Sequence, residues 1–534
     1  MRHYSLHKFL ALLLVAVSSA TMMLAQNVAK IGTTEYATLQ KAVDAVQEGK
    51  KGYIYILNDA SFDDLRIEGK QIVINLQKYT VTGNNIDVYG TEGTDTYLKI
   101  LDSKAKGLSV DTKNNYSVSY TASGTLQLTG SITAYKGASI KVESGTVVST
   151  KDVALFAIGD ITGQKDIASS VEVIGGYVKA QECCVSPQGR GATVTVGPTK
   201  YSDRKSMPVL ESLDNAVVSG NGTNDTTKKL GGTSITIQGN SWLIGRIQTS
   251  SYAACGIYHP QQGNLTIKYY YGAPNIVAVN GAGIVMRGGT LDYKAGNITA
   301  TGDANLTGKV GDSRVVVGTS GIVYDYDCGY YDAANAKIKI TNGNRNTNVV
   351  GTKSAIQVIN SKAQDAKQNI ADVFDIQGGV FSSDVSAYVN TDDGRETFEH
   401  EGTYYVGNFV AQVKDGLKYE SFITAINNAP AGSTVVLLKN RTEQSSGPQI
   451  KKNVTIDLND KNLTLSSMTV DKGGNLTIKD SGTGGTYNGL GANYSIYVRQ
   501  GGIFNLESGT LTNSSKAPRT SNVVITPVRY KNSS

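Results

Sequence analysis

An internal duplication is the sequence feature that most constrains the fold. Segment 36–49 begins with Tyr, continues through a hydroxyl residue and spaced apolar residues, and ends with Gly, and segment 419–432 repeats this order at one constant offset. Four further segment pairs follow in the same order: 53–57 with 434–438, 72–76 with 454–458, 98–103 with 476–481, and 142–147 with 506–511. The offset shrinks overall along the way, as shorter loops in the second copy require. The chain therefore contains one module twice, and both copies are expected to share a fold.

Short segments that alternate apolar and polar residues recur along the chain, separated by Gly, Asn, Asp and Ser. Clear examples are 126–128, 140–142, 171–173, 194–196, 235–237, 265–267, 338–340 and 374–376. A period of two is typical of β-strands with one buried face. No helical pattern lies between them, which argues against strand–helix–strand folds, and spacings of about 25 to 40 residues suit stacked repeats. The sequence predicts an all-β fold, a right-handed parallel β-helix with glycines at its corners.

A short amphipathic helix is predicted at the start of each module. Its apolar positions are Leu39, Ala42, Val43 and Val46 in the first copy, and Phe422, Ala425, Ile426 and Ala429 in the second. Thr38 and Ser421 precede these positions and are predicted N-caps, since a side-chain oxygen there accepts from free backbone N–H groups. The end of a β-helix exposes unpaired backbone groups and apolar core. We therefore expect both helices to cap the first coil of their module.

The N-terminus has the features of a signal peptide: basic residues, an apolar run too short to span a bilayer, and small residues at a cleavage site. No later segment is apolar enough for a transmembrane helix. We assign 1–25 to the signal peptide, 26–406 to the first β-helix module and 407–534 to a second, shorter module. Whether the second module is complete stays open. The protein is expected to be secreted, extracellular or cell-surface.

Charge and cysteines narrow the range of partners. The net charge of +6 is spread along the chain without a basic aromatic stripe, so nucleic acid is not an expected partner. Cys183 and Cys184 are adjacent, and the spacing to Cys255 and Cys328 fits no zinc motif. Buried packing is the favoured interpretation of these cysteines. A Cys255–Cys328 disulfide stays open as an alternative in an oxidising compartment.

Two tyrosine-rich segments are the candidate ligand-binding residues. In the first, carboxylates alternate with aromatic residues that could hold Ca²⁺ or a sugar ring, although the spacing matches no calcium loop. Its members are Tyr324, Asp325, Tyr326, Asp327, Tyr330 and Asp332. The second consists of Tyr269, Tyr270 and Tyr271. The competing interpretations are a solvated loop for the first segment and an aromatic ladder for the second.

Enzyme chemistry finds little support in the sequence. A glycoside hydrolase needs two carboxylates across the scissile bond, and the pairs Asp63–Asp64 and Asp392–Asp393 lack the His, Arg and Lys companions of polygalacturonases. No pectate-lyase-like cluster of calcium-binding Asp with a basic residue is visible. His259 and His400 are the histidines of the mature chain. We predict no catalytic residues, no metal and no cofactor.

The opening pattern at Tyr36 and Tyr419, with the closing segments 378–385 and 401–406, resembles the repeated modules of large surface proteins from gut and oral anaerobes. Those modules are similar in fold to the pectin-lyase-like β-helix superfamily. The resemblance implies a bacterial, adhesin-like role, so we expect a non-enzymatic protein that binds a glycan or a host surface protein. Two alternatives stay open: a polysaccharide lyase or glycoside hydrolase of the pectin-lyase-like fold, and a structural spacer or assembly unit.

Overall fold

The computed structural model describes most of the chain after the predicted signal peptide. The described residues are 26–162, 164–214, 216–220, 232–247, 253–259, 263–310, 315–325, 336–342, 347–359, 370–491, 493–515 and 521–525. Their regular secondary structure is almost entirely β-strand, and turns and loops join the strands. The α-helices among them are Leu39–Asp44, Ile370–Val373 and Phe422–Asn428, and the 3₁₀ helices are Tyr201–Asp203 and Ser386–Tyr388.

Three long sheets build the first module. The first sheet contains, in spatial order, Thr34–Tyr36, Ala29–Ile31, Lys51–Ile56, Gln71–Asn75, Tyr97–Leu101, Ser139–Val142, Ser170–Val173, Thr193–Val196, Thr233–Gln238, Gly263–Lys268, Thr290–Tyr293, Lys337–Ile340 and Phe374–Ile376. The second contains Ala60–Ser61, Thr80–Gly83, Thr125–Leu128, Thr146–Ser149, Tyr177–Ala180, Val209–Ser212, Trp242–Gly245, Asn275–Val279, Gly296–Thr301, Thr347–Gly351, Gly379–Phe381, Thr403–Gly407 and Glu396–His400. The third contains Asp64–Glu68, Asn85–Tyr89, Ile132–Tyr135, Leu155–Ile158, Val185–Gln188, Ala216–Ser219, Ala254–His259, Gly281–Met286, Ser320–Asp325 and Ser354–Ile359.

The chain visits these sheets in rotation. Each circuit adds one strand to the first, second and third sheet in turn, parallel to the strand of the previous circuit. Two strands at one end of each 13-stranded sheet are antiparallel, which leaves eleven parallel strands in each. The third sheet has ten strands, so the described residues form ten complete coils and an eleventh that has no strand in the third sheet. The predicted all-β parallel β-helix is confirmed.

The interior is a continuous column of aliphatic side chains. In the first sheet, for example, Ile140, Val171 and Val194 stack in register and are each at most 1% exposed. Alternate residues of the same strands point outward and carry charge, as in the ion pair between Lys141 Nζ and Glu172 Oε2 at 2.9 Å. The period of two in the sequence is thus the alternation between core and surface.

The predicted N-terminal capping helix is confirmed. Helix Leu39–Asp44 buries Leu39, Ala42 and Val43 against the core, and Thr38 Oγ1 accepts a hydrogen bond from the backbone N–H of Lys41 at 3.2 Å. Val46 follows the helix and is 6% exposed, above Gly52, where an added Cβ would meet it at 2.2 Å. The first strand of the solenoid therefore needs glycine directly beneath its cap.

The second module repeats the arrangement with four coils among the described residues. Its largest sheet contains Lys418–Tyr419, Ala411–Val413, Ser433–Leu437, Asn453–Asp457, Asn475–Lys479 and Ile503–Leu506. The other two contain Arg441–Glu443, Asn462–Leu465, Thr486–Gly489 and Thr510–Asn513, and Gln449–Ile450, Met468–Val470, Tyr494–Val498 and Ser521–Ile525. Helix Phe422–Asn428 caps it, with Phe422, Ala425, Ile426 and the following Ala429 buried, and Ser421 Oγ accepts from Thr424 N at 3.2 Å. The boundaries 1–25, 26–406 and 407–534 stay predictions.

Within each module, two of the duplicated segments contact each other at the first corner, where the chain passes from the first sheet to the second. Ser144 Oγ accepts from the N–H of Asp102 at 2.8 Å and donates to its carbonyl at 3.0 Å. Ser508 makes the same two contacts with Asp480, at 2.7 and 3.1 Å. The glycines that follow the two serines have φ of +87° and +86°, a conformation that other residues rarely adopt. The repeated Glu-Ser-Gly sequence is therefore a corner device.

Two hairpins extend from the coils of the first module. Lys106–Asp111 pairs with Ser117–Ala122 at the first corner of the third coil. Gly308–Val310 pairs with Val315–Val317 in the ninth coil. The second hairpin contributes Val310 and Val317 to a separate apolar cluster outside the solenoid, which includes Cys255 and Tyr258 of the third sheet. Strand Ala254–His259 is consequently buried on both faces.

An antiparallel hairpin closes the first module and contacts two lysines at the start of the second. Its strands are Glu396–His400 and Thr403–Gly407. Lys418 Nζ of the second module lies 2.8 Å from Glu396 Oε1, and Lys439 Nζ donates to the carbonyl of Gly394 at 2.7 Å. None of the helices in the described ranges is long and apolar enough to cross a membrane.

Candidate functional site

The first predicted ligand segment is only partly described, and its described residues are buried. Tyr324 is 0% exposed and belongs to the solenoid core. Asp325 is 4% exposed, and its Oδ2 lies 3.2 Å from Nε of the fully buried Arg287. Buried and paired in this way, these two side chains present no surface to a ligand. Tyr326, Asp327, Tyr330 and Asp332 lie outside the described residues, as does Cys328, so their role stays a prediction.

The second predicted segment lies on the surface at the first corner. Tyr269 and Tyr271 are 42% and 49% exposed, and Tyr270 is half-buried. The rings of Tyr270 and Tyr271 meet edge to face with centroids 4.9 Å apart. Tyr201 is a fourth member that the sequence analysis did not identify. It is 58% exposed, and its ring centroid lies 5.3 Å from that of Tyr271, also edge to face. We call Tyr201, Tyr269, Tyr270 and Tyr271 the tyrosine cluster.

Two loops of the solenoid position the tyrosine cluster. Tyr201 begins the 3₁₀ helix Tyr201–Asp203 in the corner of the sixth coil, and Tyr269–Tyr271 occupies the same corner of the eighth coil. Stacking of the coils brings the two loops together although 70 residues of sequence separate them. The guanidinium of Arg204 lies 3.7 Å from the Tyr201 ring centroid, and its Nη1 donates to the Tyr201 carbonyl at 3.0 Å. The 3₁₀ turn thus fixes a cation against one ring face.

Tyr271 has an unusual backbone conformation. Its φ is +53°, a left-handed value that is uncommon for a bulky aromatic residue and costs conformational energy. The carbonyl of Gly272 accepts a hydrogen bond from Tyr270 N at 3.0 Å and holds the turn in place. Strain of this kind clusters at binding sites. The turn displays the Tyr271 ring on the surface, where it contributes little to the core.

A polar groove lies on the outer face of the second sheet, beneath the hairpin of the third coil. It measures about 370 Å³ and is lined by Asn114, Asn115, Ser117, Val118, Tyr177, Lys179, Glu211 and Arg246. Arg246 Nη2 donates to the carbonyl of Tyr116 at 2.7 Å, and the Tyr116 and Trp242 rings lie 6.3 Å apart. These contacts fix the tip of the hairpin over the sheet. We call this cavity the hairpin groove.

Glu211 is the centre of the hairpin groove. Its carboxylate accepts hydrogen bonds from the Tyr177 hydroxyl and from Arg246 Nε, and Lys179 Nζ lies 3.8 Å away. Burial, followed by the charge of Glu211, raises the pKa of Tyr177 above its usual value. A tyrosine acting as a general base needs the opposite shift, because only the phenolate accepts a proton. The network therefore holds the groove in shape and offers polar groups to a ligand, with one carboxylate in its lining.

The part of the chain that the structure describes contains no cluster of metal ligands, and its cysteines are buried. No group of three His, Cys, Asp or Glu side chains there is arranged to hold a metal ion. Cys183, Cys184 and Cys255 are free and buried. Burial raises the pKa of the Cys183 thiol to about 12, which leaves it protonated and unreactive at neutral pH.

Comparisons with known proteins give no family. No family model matches the chain, and no curated protein matches it significantly. Among solved structures, the PL6 family alginate lyase AlyGC aligns with 86% of this chain and 79% of its own, at 11% identity and a TM-score of 0.19. A mutant of that lyase aligns with 91% and 78%, at 11% identity and a TM-score of 0.17. Alignments at these values support neither a fold nor a function, and the parallel β-helix is shown by the strand pairing of this chain itself.

Proposed function

We propose that this protein is a secreted or cell-surface, non-enzymatic glycan-binding protein, and that the tyrosine cluster of the first module is its principal binding site. The exposure of Tyr201, Tyr269 and Tyr271 at one corner is the observation that carries the proposal. The remaining exposed large hydrophobic residues of the described chain are aliphatic and lie elsewhere. The aromatic exposure is thus concentrated in one place.

Sugars suit this surface for a chemical reason. A pyranose ring has an apolar face of C–H groups that packs against an aromatic ring, and an edge of hydroxyls that needs polar partners. Tyrosine supplies both an apolar body and a hydroxyl, and Arg204 adds donors beside the Tyr201 ring. The edge-to-face packing of Tyr201, Tyr270 and Tyr271 turns neighbouring rings in different directions. Rings that face different directions fit a ligand with a curved shape, such as a sugar, better than they fit a flat protein surface.

The hairpin groove supports the same function. It lies on the outer face of the second sheet, which begins directly after the first corner. Its lining offers amide, hydroxyl, ammonium, guanidinium and carboxylate groups within one cavity of about 370 Å³, a size common among ligand sites. Export is expected from the predicted signal peptide, and a cell-surface location with an adhesive use of the binding is part of the proposal.

The test is binding of the purified protein to a glycan array, with and without the double substitution Tyr201→Ala and Tyr271→Ala. We expect the wild type to bind a defined subset of glycans saturably, and the variant to bind them at least about tenfold more weakly, equivalent to about 1.4 kcal/mol. Tyr494→Ala is the matched control, because it removes a ring from the stacked Tyr494–Tyr497 pair of the second module.

Three outcomes would contradict the proposal. Glycan binding that is equal in the wild type and the double variant would remove the tyrosine cluster from the function. Binding to host matrix proteins and to no glycan would replace the ligand class. Release of reducing ends or unsaturated uronates from a bound polysaccharide would show an enzyme, which is the second hypothesis from the sequence.

A further inference from the structure

A second recess lies at the N-terminal end of the first corner. It measures about 590 Å³ and is lined by Lys30, Gly32, Tyr55, Ile56, Leu57, Gln77, Tyr79 and Lys104. Lys30 belongs to the antiparallel strand above the first coil, and the other residues come from the turn that follows that strand and from the first three coils. We call this cavity the lysine recess. Its volume lies in the range of small-molecule and sugar sites.

The lining of the lysine recess is cationic and aromatic. No Asp or Glu lines it. Among the described residues, neither Lys30 nor Lys104 forms an ion pair, and Lys30 Nζ lies 5.9 Å from the centroid of the Tyr55 ring. The nearby Asp102 carboxylate accepts from the backbone N–H groups of Lys78, Lys104 and Gly124 and is 2% exposed, so its hydrogen-bonding capacity is used within the corner. The recess lining therefore combines two ammonium groups without an ion-pair partner and aromatic ring surface.

The second module shows that the fold does not require these residues. Strand register places Lys30 opposite Tyr55 in the first module, and Gln412 opposite Val436 at the equivalent place in the second. Lys104 N donates to Asp102 Oδ1 at 2.8 Å, and the same backbone contact to Asp480 is made by Gly482 at 3.2 Å. The same backbone arrangement thus forms with glutamine and glycine at the two lysine positions. Neither lysine is required for the fold of this corner.

We propose that the lysine recess binds an anionic substituent of the glycan, a carboxylate or a sulfate ester, with Lys30 and Lys104 facing the charge and Tyr55 and Tyr79 facing the sugar ring. The proposal rests on the glycan-binding function above and names the ligand class as acidic. Ammonium groups pair with either oxyanion. Ring surface beside the ammonium groups favours a charged sugar over a free inorganic ion.

The lysine recess and the tyrosine cluster share one edge of the solenoid. The recess is centred on the second coil, and the cluster spans the sixth to the eighth. Neighbouring parallel strands are about 4.8 Å apart, so the two sites are separated by roughly 20–25 Å along the axis. A polysaccharide that runs parallel to the axis reaches both sites. Binding is then expected to strengthen when an acidic oligosaccharide becomes long enough to span this distance.

The experiment replaces the lysines by the residues of the second module, Lys30→Gln with Lys104→Gly, in the full chain. Affinity electrophoresis is run with polygalacturonate as the carboxylate probe, dextran sulfate as the sulfate probe and galactan as the neutral probe. We expect the double variant to lose about tenfold in affinity for one or both acidic probes and to bind galactan like the wild type. Lys461→Gln, a lysine at the equivalent corner of the second module, is the matched control and should change nothing.

The outcomes separate this inference from the proposed function. If the wild type binds acidic and neutral probes equally, or if the double variant keeps full affinity for both acidic probes, the anionic recess is overturned while glycan binding at the tyrosine cluster stands. If the wild type binds none of the probes and no glycan on the array, both proposals fail. A circular dichroism spectrum and unfolding midpoint equal to those of the wild type show that the variant is folded, as the second module leads us to expect.

Discussion

The buried histidine of the third sheet predicts a pH dependence of stability. His259 is 0% exposed, its Nε2 lies 3.3 Å from the carbonyl oxygen of Gly263, and its Nδ1 has no hydrogen-bond partner among the described residues. Burial lowers the pKa of His259 to about 4, against 6.5 for an exposed histidine. Between these values the unfolded chain binds a proton that the folded chain does not. The contribution of the neutral His259 to the free energy of unfolding is therefore fully present above pH 6.5 and is lost as the pH drops towards 4.

The size of the effect follows from the difference in pKa. About 2.5 pH units at about 1.36 kcal/mol each give a loss of about 3 kcal/mol across this window. The assay is denaturant unfolding of the full chain at steps from pH 7.5 to 4.5, with the wild type and His259→Gln. We expect the free energy of unfolding of the wild type to fall by about 2–3 kcal/mol more than that of the variant.

A matched control is available because His400 is the other histidine of the described chain. His400→Gln keeps His259 in place, so the pH-dependent loss assigned to His259 should remain in this variant. The reasoning is refuted if His259→Gln and the wild type show the same slope between pH 6.5 and 4.5. In that case the imidazole would already be protonated, or solvated, in the folded protein.

Three further predictions concern the cap, the corner and the thiols. Phe422→Ala should cost about 3–5 kcal/mol in denaturant unfolding because the ring is fully buried in the cap, and the partly buried Ile423→Ala should cost less. Ser144→Ala should lower the free energy of unfolding by about 1 kcal/mol, since it removes two corner hydrogen bonds. In a Cys328→Ser background, a thiol reagent at pH 8 should label no cysteine of the native protein and three after denaturation, because Cys183 and the other two are buried.

Much of the fold could be predicted from the sequence because the first sheet alternates clearly. Segments such as 140–142 and 171–173 have one face in the core and one in water, so their sequence carries the period of two. The third sheet was harder to find for a physical reason. Ala254–His259 is buried on both faces, since the hairpin of the ninth coil covers its outer side, and a strand buried on both faces does not alternate.

The candidate site could be predicted only in part. Three consecutive tyrosines at 269–271 are visible in the sequence, and the structure exposes two of them. Tyr201 and Arg204 could not be linked to them, because the stacking of coils, and not sequence distance, brings these loops together. The lysine recess was missed for the same reason, since Lys30 and Lys104 come from different coils. A position-by-position comparison of the two copies could have identified these two lysines, because the second copy has Gln412 and Gly482 in their place.

The corner geometry has a consequence for how such a surface can change over evolution. The third coil carries a whole hairpin at the first corner, the sixth a 3₁₀ turn and the ninth only a tight bend, yet the strands on either side keep their pairing. Loop length at this edge is thus uncoupled from ladder register. Insertions can be gained, lost or exchanged one coil at a time, so recognition can diversify while the scaffold stays constant.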